Sequence, residues 1–234
     1  MKGLFVRVGA DTTEAGGWWN GPVDSKTHDF VYAAIWEKNC RKGYETPFSY
    51  LEKPLAKFGL KVPEHLRKQN MHLDPDFRYL TYGDQGSRAK QLSKLEKGDL
   101  LVFYASLHDV HRPRSLVYAI IGIYFIDRII PASSIPRSKW HMNAHLRYKW
   151  DPSPDDRVVY ARRKGSGRLK QCLRIGSFRN RAYRVLPSLL KEWGGLHVKA
   201  GYLQRSAYLQ KLKDARRFYE WFQKQDVHLI KRNN

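Results

Sequence analysis

The chain of 234 residues carries 43 Lys and Arg against 22 Asp and Glu, a formal net charge of +21, with 42% hydrophobic and 13% aromatic residues. Seven Trp and fourteen Tyr exclude a disordered chain, and the longest apolar run, Leu116 to Ile126, is about half of what spans a bilayer. Two lone cysteines, Cys40 and Cys172, exclude a disulfide framework or a Cys-based zinc site, which leaves a cytoplasmic globular protein as the expectation.

The first residues, Met1 to Val8, alternate and predict a strand rather than a signal peptide, because no apolar core of about 7–15 residues follows. The turn-formers from Gly9 to Gly17 break it. They are a candidate backbone cradle for a phosphate or a base, although their glycine spacing matches no Walker or dinucleotide fingerprint. Phe30 to Trp36 reads as a strand, and residues 43–71, with prolines at 47, 54 and 63, as irregular or weakly helical. A short helix is expected at Lys90 to Leu95, then a strand from Gly98 to Tyr104. Tyr118 to Ile126 is nearly continuous in apolar residues, as for a strand buried on both faces, and His108 to Ser115 suits a wide hairpin between the two. Residues 131–156 read as a long loop. Arg157 to Ala161 and Leu169 to Ile175 read as basic strands joined by Lys164-Gly165-Ser166-Gly167. Pro187 to Trp193 predicts a helix. Leu209, Leu212, Ala215, Tyr219 and Phe222, spaced by three or four, predict one face of a C-terminal amphipathic helix. Strands first and helices late make an α+β fold.

The charge is unevenly placed. Residues 1–110 hold 16 basic and 14 acidic side chains, residues 111–234 hold 27 and 8, and none between Asp156 and Glu192 is acidic. So one-sided a field favours a polyanion, and the arginines suit bidentate phosphate contacts; a solvated basic face is the plainer reading. The densest chemistry lies in Met71-His72-Leu73-Asp74-Pro75-Asp76-Phe77-Arg78. A turn at Pro75 lets His72, Asp74 and Asp76 converge to bind a metal or to pair a base with an orienting carboxylate. The alternative is a turn whose aspartates cap local N–H groups, with Arg78 as a surface counter-ion. His72-x-Asp74 also invites a two-His, one-carboxylate set with His141 or His145 as third ligand. Those two histidines, four apart in Trp140-His141-Met142-Asn143-Ala144-His145, face the same way if the stretch is helical, and no glutamate stands where a zinc hydrolase requires one. The sequence alone assigns no metal-ligand set and names no cofactor.

The Gly98-Asp99 strand and the Ile120-Ile121-Gly122-Ile123-Tyr124 strand resemble the strand pair of PUA-like barrels, which bind modified bases or RNA. Taken in order, the Gly- and Thr-rich loop after the first strand, His72-Leu73-Asp74-Pro75-Asp76, Tyr82-Gly83-Asp84-Gln85-Gly86, the two strands, Ser166-Gly167 and Leu186-Pro187 resemble the nucleotide modification associated domain family, third type. The resemblance spans roughly residues 3 to 205 and includes Arg7, Gly9, Asp11, Gly16 and Gly17. Ala10 stands where the family's pattern leads one to expect an aromatic, and Tyr183 lies near an expected Trp. The resemblance implies a part in making or processing hypermodified bases.

The reading that follows is an α+β fold built on a mixed, partly closed PUA-like β-barrel with peripheral helices. Residues 1–205 form the nucleotide-modification-associated domain, and residues 206–234 a C-terminal helix packed on it. The partner is DNA or RNA, with no membrane, and oligomeric state is not legible. Asp11, His72, Asp74, Asp76 and Arg78 are expected to line a pocket for one base and act in catalysis. Arg157, Arg162, Arg163, Lys164, Arg168, Lys170 and Arg174 are expected to hold the backbone, and Trp18, Trp19 or Tyr104 to stack on an extruded base. The function is then a base-modification enzyme or accessory factor. The alternative is a non-catalytic PUA-like reader of a modified base or structured RNA.

Overall fold

A computed structural model describes residues 1–12, 19–112, 115–204 and 208–234. The elements follow in chain order: β1 (Gly3–Arg7), β2 (Pro22–Val23), β3 (Ile35–Glu37), α1 (Glu52–Ala56), α2 (Glu64–Arg67), β4 (Asn70–His72), β5 (Thr81–Asp84), α3 (Gly86–Leu92), β6 (Leu100–Asp109) and β7 (Leu116–Pro131). The rest are β8 (Arg157–Ala161), β9 (Gly167–Arg174), β10 (Gly176–Arg179), β11 (Ala182–Val185), α4 (Pro187–Glu192), β12 (Gln210–Lys211), α5 (Ala215–Gln223) and β13 (Leu229–Ile230). Residues 132–146 form three short 3-10 turns instead of a featureless loop. No helix among the described residues is long and apolar enough to cross a membrane.

Among the described residues nine strands form one mixed sheet, ordered β12-β1-β6-β7-β8-β5 along its main path. β1 and β2 run parallel to β6, and β6 runs antiparallel to β7. The path of strands is open, with β9 branching from β7 and β13 paired to β9, so the architecture is α+β around a large mixed sheet. β7 is the hub. One edge pairs with β6 from Leu116 to Phe125, while the other serves β9 and then β8, with a register shift within each pairing. The basic strands β8 and β9 are therefore joined in sequence but paired separately to β7.

Two cores explain the apolar run that predicts a doubly buried strand: Ala119, Ile121, Tyr124 and Ile126 of β7 lie in the larger, and Tyr118, Ile120, Ile123 and Phe125 in the other; β6 divides in the same way. Leu101, Phe103, Ala105 and Leu107 of β6 enter the larger one, beside Leu51, Leu55 and Leu66. Leu100, Val102 and Tyr104 face the other, covered by Trp193, Phe218 and Phe222. α5 contributes Ala215, Phe218 and Phe222 to that second core.

Two expected elements take other forms. Of Phe30 to Trp36, only Ile35 and Trp36 enter a strand, β3, which pairs with β4. Phe30 to Ala34 are buried, but their backbone partners are irregular: Val31 N–H donates to the Pro22 carbonyl, the Ala33 carbonyl accepts from Ala10, and the Asn234 side chain bonds both polar groups of Tyr32. The C-terminal helix begins later than its periodicity predicts. Gln210 and Lys211 are captured as β12 by the edge of β1, and the Asp214 carboxylate caps the helix by accepting from Arg217 N–H at 2.9 Å.

Candidate functional site

The chain leaves β4 at His72, passes the cis Asp74–Pro75 peptide, and returns as β5, with Asp76 and Thr81 exchanging backbone hydrogen bonds. This return separates two carboxylates that lie close in sequence. Asp76 turns inward, 1% exposed, where Arg147 pairs with it at 2.5 Å and Asn233 donates to it at 3.1 Å. It also accepts from the N–H groups of Arg78 and Tyr79, so Asp76 is the turn-capping aspartate of the plainer reading. Arg78 is exposed, with its guanidinium 5.4 Å from the Tyr79 ring.

Asp74 faces a cavity of about 310 Å³ lined by Arg7, Val8, Gly9, Asp11, Ile35, His72, Tyr82, Gly83, Asp84, Gln85, Arg88, His145 and Tyr148. The structure thus gathers Asp11, His72 and Asp74 of the expected catalytic set and leaves Asp76 and Arg78 outside the lining. Asp11 binds Arg7 at 2.7 Å. His72 Nδ1 lies 2.8 Å from Glu37 Oε2, and its ring is stacked with Tyr148 and edge-on to His145. A carboxylate only accepts, so that bond places a hydrogen on Nδ1, and in the neutral ring the lone pair is then on Nε2.

His145 arrives from the 3-10 turn Ala144–Leu146, capped by the fully buried Asn143, whose side chain accepts from His145 N–H. Asn143 Nδ2 also donates to Asp74 Oδ1 at 3.2 Å, as does Gly83 N–H at 2.8 Å. The 3-10 turns break at Asn143, so the expected helical pair diverges: His141 is exposed against Tyr79, while His145 is buried. Gly83 is required by space, because a Cβ there would lie 2.6 Å from His145 Cδ2 and 2.7 Å from Asn143 Oδ1. Burial opposes a charged His145, but the hydrogen bond and charge of Asp74, with Asp84 further off, outweigh it and hold its pKa above the ordinary histidine value. The nearest approach is His145 Nε2 to Asp74 Oδ2 at 3.5 Å. One ligand atom from each of His72, Asp74 and His145 lies within 4.8 Å of the others.

The wall beside them is a second polar network. Tyr82 donates to Asp84 at 2.5 Å, and Arg88 reaches both the Asp84 carboxylate at 2.9 Å and the Tyr82 hydroxyl at 2.7 Å. Burial raises the pKa of Asp84 despite Arg88, and burial with the Asp84 charge raises that of Tyr82. The sequence alone does not single out Glu37, Asn143 or Arg88. The run Tyr82-Gly83-Asp84-Gln85-Gly86 is its one signal toward this wall, whereas nothing local marks Glu37 as a partner of His72.

Of the expected backbone-binding residues, Arg162, Arg163, Lys164, Lys170 and Arg174 are exposed on β9 and the connection before it. Arg162 lies over the Phe125 ring at 4.1 Å. Arg157 is half-buried and donates to Ser93. Arg168 corrects the expectation: it is 5% exposed, packed over Phe30, and donates to the carbonyls of Leu169 and Phe30, with burial lowering its pKa to about 10. Tyr104 is corrected likewise. Its ring is fully buried, stacked on Phe5, with its hydroxyl given to the Leu203 carbonyl, so neither face is open to a base. Trp19 packs edge-on against Phe48 beside the larger core, and Trp18 lies outside the described residues, as do Gly16 and Gly17 of the expected cradle.

Among known protein families, the model of nucleotide modification associated domain 3 matches residues 2–220. No curated protein and no solved structure matches the chain.

Proposed function

The chain belongs to the nucleotide modification associated domain 3 family, and on that premise we propose that it modifies a base of DNA or RNA, or serves as the base-binding factor of that modification, in the cavity between β4, β5 and the His145 turn. The observation that carries this reading is the gathering of Asp11, His72, Asp74 and His145 with Arg7 and Arg88 around one polar cavity of about 310 Å³. Such a volume lies at the low end of small-molecule sites, about 300–1,000 Å³, and suits one base drawn out of its stack. His72, oriented by Glu37, is the proton carrier. Arg7 and Arg88 supply positive charge to a phosphate or to negative charge that develops on the base. The exposed cations Arg162, Arg163, Lys164, Lys170 and Arg174 hold the backbone.

The alternative, a PUA-like reader without turnover, calls for a shallow aromatic groove with both aspartates engaged in a turn; here only Asp76 caps the turn, and Asp74 lines the cavity. Nucleoside mass spectrometry of a deletion strain tests the reading. A nucleoside is expected to disappear, or its unprocessed precursor to accumulate, and wild-type but not His72→Ala protein is expected to restore it. A profile unchanged by the deletion would refute it.

A further inference from the structure

Resting on that reading of the cavity, we propose that His72, Asp74 and His145 bind a divalent transition-metal ion, with Glu37 as the outer carboxylate that orients His72. Two imidazoles and one carboxylate form a donor set of borderline softness suited to Zn²⁺, Fe²⁺ or Co²⁺, and three protein ligands leave coordination positions open to the cavity. Each ligand comes from a different place: the end of β4, the connection to β5, and the turn after Asn143. All three side chains are almost fully buried, with exposures of 9, 5 and 7% in the order named.

The outer contacts aim one ligand atom of each residue inward. Glu37 engages His72 Nδ1 and leaves Nε2, the carboxylate–histidine arrangement that accompanies metal ligation. Gly83 and Asn143 occupy Asp74 Oδ1 and leave Oδ2. At His145, Nδ1 is buried without a hydrogen-bond partner, and Nε2 approaches Asp74 Oδ2 only to 3.5 Å. That is longer than a good hydrogen bond, about 2.7–3.2 Å. It is close to the separation of about 3.4 Å that two ligands take on a tetrahedral ion with bonds near 2.1 Å. The Asp74 contact of this buried ring is thus a long one, which an ion seated between Nε2 and Oδ2 replaces, while Nδ1 keeps no partner in either state. The 4.8 Å limit on the ligand-atom separations closes onto one ion by side-chain movements of about an ångström. The bound ion supplies a Lewis acid facing the cavity; His72 and Asp74 are then its holders, and His72 carries protons only in the metal-free protein.

The test is titration of the full chain, stripped with a chelator, with Zn²⁺ by calorimetry and Co²⁺ by visible absorption. One equivalent is expected to bind. Asp74→Asn and His72→Gln should weaken binding at least about 100-fold, and Glu37→Gln by about 10–100-fold, while Cys40→Ser and His141→Ala leave it unchanged. If the ligand variants fail to fold, ¹⁵N spectra of the wild-type histidine rings replace them: Zn²⁺ should shift the signals of His72 and His145 and spare those of His141. Absence of stoichiometric binding, or binding retained in Asp74→Asn and His72→Gln, would overturn the proposal and leave Asp74 and His145 as an internal ion pair. The two readings fail separately. A nucleoside phenotype without metal binding sinks the metal site alone; metal binding with an unchanged nucleoside profile sinks the assignment of function alone.

Discussion

Asp74 and Asp76 are two residues apart and carry different chemistry because the turn between β4 and β5 points one into the cavity and the other into protein. Asp76 is held by Arg147, and both side chains are buried, at 2 and 8% exposure. Arg147→Ala leaves that carboxylate in low dielectric without its cation, a loss of about 3–5 kcal/mol, which should lower Tm by roughly 10 °C. Glu52→Ala, which breaks the Arg67–Glu52 pair at half-exposed positions, should cost under about 1 kcal/mol. Equal effects in a thermal melt would contradict the assignment of Asp76 to structure. At this scale the sequence marks the place but not the division of labour. The His72 to Asp76 run is dense in ionisable groups, yet which of them face the cavity depends on Arg147, Asn143 and Glu37. Those residues lie 35 to 71 positions away from the partners they bind, a pairing that local spacing does not encode.

Among elements, β7 is the member that ties the site to the fold. Tyr124 donates to the Asp76 carbonyl, and Gly122 leaves room for Phe77, whose ring a Cβ at that position would meet at 2.3 Å. From the far end of the chain, Asn233 accepts from Phe77 N–H at 2.7 Å and donates to Asp76, while Asn234 serves both backbone groups of Tyr32. Replacing Asn233 and Asn234 together with Ala orphans several of these polar groups, at about 1–3 kcal/mol each. The double variant should therefore melt well below wild type, and an unchanged Tm would show that these caps contribute nothing to stability. β1, β6, β7, β8 and β9 are legible in the sequence because alternation or a continuous apolar run reports burial directly. Phe30–Ala34 and Leu209–Lys213 mislead for a shared reason: their apolar residues are buried, but their backbone partners are remote segments and side chains. The β6–β7 hairpin is equally legible, whereas the branching of β9 and β8 along one edge of β7 depends on register shifts that no periodicity reveals.

Across the whole molecule, the charge separates by place. The cavity is lined with mixed charge, Arg7 and Arg88 against Asp11, Asp74 and Asp84, whereas the excess of cations lies in residues 111–234 and is exposed at Arg162, Arg163 and Lys164. If that cluster holds a nucleic-acid backbone, the logarithm of affinity falls linearly with the logarithm of salt concentration. Replacing the three with Gln should flatten the slope by about 0.7–0.9 for each phosphate no longer neutralised, and a slope unchanged from wild type would place the grip elsewhere. The most direct test of the account is the nucleoside composition of DNA and RNA from cells in which Asp74→Asn replaces the wild-type chain, read beside the melting curve of the purified variant. The account predicts a variant that folds and a modified nucleoside that is lost; a folded Asp74→Asn protein with a wild-type nucleoside profile would contradict it.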